Sequence, residues 1–88
     1  MVEEELTIKN KLGLHARAAS MLVELVSRYS SDVWIVKDGR EVDAKSIMGI
    51  MTLAAAQGTR IKVRASGEDE SRAVEGVREL IERKFDEE

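Results

Sequence analysis

The chain has 88 residues, neither cysteine nor proline, and 14 Lys+Arg against 17 Asp+Glu for a net charge of −3. That length predicts a single domain over residues 1–88, with a modest core and little room for a deep enclosed active site. Without thiols there is no disulfide framework or thiolate metal site, and an acidic chain with 3% aromatic residues is a poor nucleic-acid binder.

The acidic start, MVEEEL, is unlike the basic n-region of a secretory signal. No apolar run approaches the roughly 20 residues of a membrane span. A cytoplasmic protein without membrane insertion is expected. Val2, Leu6 and Ile8 alternate with Glu5, Thr7 and Lys9, which predicts a half-buried strand over 2–9. After the loop Lys11–Leu12–Gly13, Ala19, Leu22, Val23 and Val26 fall at helical spacing within 16–28. DVWIVK (32–37) is rich in β-branched and aromatic residues and predicts a second strand. The dipeptide Asp38–Gly39 suits a two-residue hairpin turn, from which REVDA returns as a third strand. KSIMGIMTLAAAQG starts a short helix at Ser46 that Gly58 ends. TRIKVRAS is a fourth strand with one wet face. After Asp69, a plausible cap, Ala73, Val74, Val77, Leu80 and Ile81 form the stripe of the longest helix, and FDEE reads as a frayed tail.

The order β-α-β-β-α-β-α predicts an α+β fold: a four-stranded antiparallel sheet with three helices on one face.

His15 is the only histidine, and it stands where a helix begins, a position better suited to Ser, Thr, Asp or Asn. A loop or surface role is the ordinary reading of a lone histidine. Here, however, unpaired amides and the positive helix end converge on it, an arrangement that binds phosphate. The same field disfavours an imidazolium and leaves a ring nitrogen free to attack. Arg17 adds a planar, always-charged fork for the same anion. Ala16, Ala18 and Ala19 are small enough to let a partner approach. A phosphohistidine needs both a free nitrogen and donors around it. No GxxxxGK[ST] loop, metal-ligand cluster or cofactor motif accompanies them, so nucleotide and Mg²⁺ handling would fall to partner enzymes. The chain reads as a phosphoryl carrier and not an enzyme.

Ser46 is an ordinary N-cap on local sequence. Ile47, Met48, Ile50 and Met51 follow in a helix too short to bury all four, and Ile50 is the best placed to turn inward. Exposed methionines suit recognition of several partners, and Leu14 could extend the patch. A phosphate on Ser46 would suit the helix end while setting negative charge beside an apolar docking surface.

GLHARAAS (13–20) and KSIMGIMTLAAAQG (45–58) together resemble the two motifs of the HPr family, the histidine-containing phosphocarriers of the bacterial phosphoenolpyruvate-dependent sugar phosphotransferase system. The resemblance spans essentially the whole chain. It implies the family's open-faced β-sandwich and phosphorylation of His15 on Nδ1 by enzyme I, with transfer to an enzyme IIA domain. It implies stabilisation of that group by Arg17 and by amides near Ala16 and Arg17. Ser46 would be the target of HPr kinase/phosphorylase, and its modified form a corepressor with a catabolite-control repressor. Leu14, Ile47, Met48 and Met51 would form the shared partner surface of a monomer. Ala18 stands where the family usually has proline, and Glu24 and Ser27 where it commonly has basic residues. A regulatory paralogue of the nitrogen-type branch would use the same His15 chemistry. The element order alone also permits a ferredoxin-like small-molecule or RNA-binding module, which leaves the Gly13–Arg17 cluster unexplained.

Overall fold

The computed structural model describes residues 1–87. Its elements are β1 (Val2–Thr7), α1 (Ala16–Val26), β2 (Asp32–Lys37), β3 (Arg40–Asp43), α2 (Ile47–Thr52), β4 (Arg60–Ser66) and α3 (Glu70–Glu82), followed by a short left-handed turn at Lys84–Asp86. The strands form one antiparallel sheet in the order β1-β4-β2-β3. The expected α+β architecture and element order are therefore observed.

Alternation along the strands sends one set of side chains inward and leaves the other in solvent. Leu6, Val33, Ile35, Ile61, Val63 and Ala65 meet Ala19, Leu22 and Val26 of α1 and Ala73, Val77 and Ile81 of α3 in one apolar cluster. The opposite face of the sheet is charged. There Arg64 pairs with Glu3 and, at 2.7 Å, with Glu41. Asp38 and Gly39 both take positive φ, 50° and 79°, as the primed two-residue turn requires.

Several expectations shift. β1 ends at Thr7, yet Ile8 stays buried, donating to Thr59 O and accepting from Gly58 N. α1 stops at Val26, because the Arg28 and Tyr29 amides form tighter turn bonds to the Leu25 and Val26 carbonyls. α2 ends at Thr52 instead of continuing to Gly58. Arg40 and Lys37, from the β2–β3 hairpin, donate to the Thr52 and Leu53 carbonyls, and Ala54 turns to φ 49°. Asp69 occupies the N-cap position of α3 without capping it. Its carboxylate accepts from the amides of Ser30 and Ser31, each at 2.9 Å, and from the Ser31 hydroxyl. These three donors hold its pKa at about 2.

The FDEE segment is not a frayed tail over its described residues. Phe85 is fully buried, and Lys84, Phe85 and Asp86 all carry φ between 54° and 59°. Burying that ring contributes about 1.5–3 kcal/mol, which offsets part of the left-handed cost of roughly 1–2 kcal/mol at each of the three residues. Glu87 is thereby brought to the start of α1.

Candidate functional site

The site is built where three connections meet. Gly13 takes φ 66°, and a Cβ there would lie 2.3 Å from the Ala55 carbonyl oxygen. The same oxygen accepts from the Leu14 amide at 2.9 Å. Asn10, fully buried, donates from Nδ2 to the Gly13 carbonyl at 2.7 Å. The β1–α1 loop is thus braced against the α2–β4 loop, and His15 emerges from that junction.

His15 is the N-cap of α1 with extended backbone (φ −73°, ψ 177°) and makes no side-chain capping bond. Its carbonyl accepts from the Ala19 amide, the first bond of the helix. The amides of Ala16, Arg17 and Ala18 therefore have neither an intrahelical acceptor nor a cap.

Arg17 is exposed, and among the described residues its guanidinium makes no hydrogen bond or close salt bridge, its charge acting at longer range on Glu87. It lines one depression with Lys11, Leu12, His15 and Glu87. A second depression, sharing Leu12 and His15, is lined by Leu14, Met51 and Ala54–Ala56. Lys11 and Arg17 thus flank the imidazole on one side, and apolar groups lie on the other.

The apolar rim differs from expectation in one residue. Met48 is 75% exposed, and Ile47 and Met51 are also exposed, whereas Ile50 is buried. Leu14 is only 4% exposed: its amide is held by Ala55, and its side chain joins the core. The exposed leucine is Leu12, at 69%, in the loop before Gly13. Ala18 and Ala19, expected to clear space for a partner, instead pack into the core, while Ala16 remains outside. Ser46 caps α2, its Oγ accepting from the Gly49 amide at 3.0 Å.

One contact has no signal in local sequence. The Glu87 carboxylate bonds His15 Nε2 through one oxygen and accepts from Asn10 Nδ2 at 3.1 Å through the other. Donation from Asn10 and then His15 holds its pKa below the ordinary glutamate value. Glu87 lies 72 residues beyond His15 and reaches it only because Phe85 anchors the turn.

A family model described as the PTS HPr component phosphorylation site matches residues 2–83. The chain belongs to the PTS-HPr family. A phosphocarrier protein HPr from Xylella fastidiosa is 55% identical over 87 residues, covering 99% of this chain and 98% of that one. The crystal structure of HPr-C-His from Thermoanaerobacter tengcongensis superposes with a TM-score of 0.97 at 50% identity, covering 100% of this chain and 99% of the other. Crh of Bacillus subtilis, described as a catabolite-repression protein forming a dimer by domain swapping, is similar at 42% identity and a TM-score of 0.77, covering 96% and 97%. Membership of the HPr family accounts for the sheet order and the helix placement. Among the described residues no helix is long and apolar enough to cross a membrane.

Proposed function

We propose that this HPr-family chain receives a phosphoryl group on His15 from enzyme I and passes it to an enzyme IIA domain. It would act as a monomer in the cytoplasm, over the single domain 1–88. The observation that carries the reading is the uncapped start of α1. A histidine stands there beside free amides and an unpaired Arg17, flanked by exposed apolar side chains. The attacking ring nitrogen takes the phosphorus, and the bond to the donor's leaving atom breaks with its electron pair. The phosphoryl oxygens then lie within reach of donors whose hydrogen bonds are not otherwise used. The protein supplies a seat for the group, while phosphoenolpyruvate and Mg²⁺ chemistry belong to its partners. Leu12, Ile47, Met48 and Met51 form the docking rim.

The same reading makes Ser46 a regulatory phosphorylation site for an HPr kinase/phosphorylase. Its Oγ already meets the α2 amide that a phosphate would use. The added charge would stand beside Ile47 and Met48, which are exposed. The similarity to Crh, a catabolite-repression protein of Bacillus subtilis, favours such a branch, with a catabolite-control repressor as the partner of the modified form.

Phosphoenolpyruvate with enzyme I should label the chain with one acid-labile phosphate. His15→Ala should abolish the label with the fold intact by circular dichroism. A label that persists in that variant would overturn the assignment of His15.

A further inference from the structure

Glu87 has no part in the reading above, yet it makes the only side-chain hydrogen bond to the His15 ring among the described residues. We propose that Glu87 is a positioning residue for phosphoryl transfer: its carboxylate holds the Nε2–H tautomer of His15 and leaves Nδ1 as the attacking nitrogen. The inference rests on His15 being the phosphorylated residue.

An ionised carboxylate can only accept, so the nitrogen it bonds must carry the proton. With Nε2 protonated, the lone pair of the neutral ring is on Nδ1. Asn10 makes the arrangement directional. Being fully buried, it turns Nδ2 to both the Gly13 carbonyl and Glu87 Oε1, which points Glu87 Oε2 at the imidazole. The anchored ring of Phe85 holds the main chain of this segment in place. Histidines that act through one nitrogen are commonly oriented by a partner on the other.

The step balances without a proton transfer. The Nδ1 lone pair forms the N–P bond as the donor's bond to phosphorus breaks, and the donor atom keeps that electron pair. The Nε2 proton stays on the ring, which becomes cationic, and the Glu87 carboxylate opposes that charge. The same pairing keeps the ring a good leaving group for onward transfer, since a protonated phosphoimidazole departs more readily than a neutral one. The charged groups around the ring are Lys11 from the β1–α1 loop, Arg17 from α1 and Glu87. Met51 and Ala54–Ala56 face it from α2 and the following loop.

Glu87→Gln tests the carboxylate with little change in shape. A glutamine has one acceptor oxygen for two donors. If it serves the buried Asn10 amide, its own NH₂ faces Nε2 and favours the opposite tautomer. Heteronuclear NMR of the ring nitrogens in alkaline buffer should show Nε2–H predominating in the parent and falling in Glu87→Gln and Glu87→Ala. Phosphorylation by enzyme I should slow by about tenfold, the worth of one charge-assisted hydrogen bond, with its pH profile displaced. Circular dichroism and thermal melting confirm that both variants fold. A labelled parent whose tautomer population and rate are unchanged in both variants overturns the role of Glu87 alone. A parent that takes no acid-labile phosphate overturns the carrier reading and this inference with it.

Discussion

At position 13, φ is 66° and an added Cβ would meet the Ala55 carbonyl oxygen at 2.3 Å. Alanine there would have to displace the backbone that also receives the Leu14 amide. Left-handed strain and overpacking together should cost Gly13→Ala about 2–5 kcal/mol, measured by urea unfolding. Reduced phosphorylation of the fraction still folded would show that the loop contact sets the attitude of His15. Asn10 belongs to the same bracing: one side chain holds both the Gly13 carbonyl and Glu87. In the sequence it is simply a polar residue in a loop, because its two partners are set by the meeting of remote segments.

Among the elements, α2 shows how far local propensity reaches. Leu53–Ala56 contains the best helix former three times over, yet the helix stops at Thr52. Lys37 and Arg40 occupy the carbonyls that further turns would need, and Leu53 and Ala55 turn into the core. The start of α2 follows its sequence closely, with Ser46 as cap. Ser46→Ala should therefore cost about 1 kcal/mol of stability. Ser46→Asp keeps a capping oxygen and should leave the melting temperature nearly unchanged. Its added charge should weaken binding to enzyme I by about 1 kcal/mol in calorimetry. Unaltered binding would separate α2 from the docking surface.

For the molecule as a whole, Asp69 ties the approach to β2 to the start of α3. Its pKa of about 2 in the folded state compares with about 3.9 for an unfolded aspartate. A depressed carboxylate contributes stability that is fully present above the unfolded value. As pH falls from about 4 toward 2, the unfolded chain binds the proton first and the contribution is lost. Melting temperature should drop over that interval, and Asp69→Asn should be less stable at neutral pH with a shallower acid slope. An unchanged slope would show that acid lability arises elsewhere. The donors are one hydroxyl and two amides, so high salt should alter this contribution little.

Strand alternation and helical spacing determined the elements, their order and the antiparallel α+β architecture, because each pattern records which face of an element is buried. The Asp38–Gly39 turn and the uncapped His15 were equally legible, since a positive φ and a helix start are local properties. Boundaries were less so: α2 and β1 end where a partner from outside the element takes the next backbone group, and α1 ends in a tighter turn of its own. Tertiary structure alone decided that Leu14 is buried and Leu12 exposed, and that Ala18 and Ala19 serve the core. It also decided that Asp69 binds a loop in place of its own helix. Above all, it brought Glu87 to His15. Local periodicity carries no information across 72 residues; the contact exists because the buried Phe85 ring anchors a left-handed turn that brings Glu87 to the start of α1.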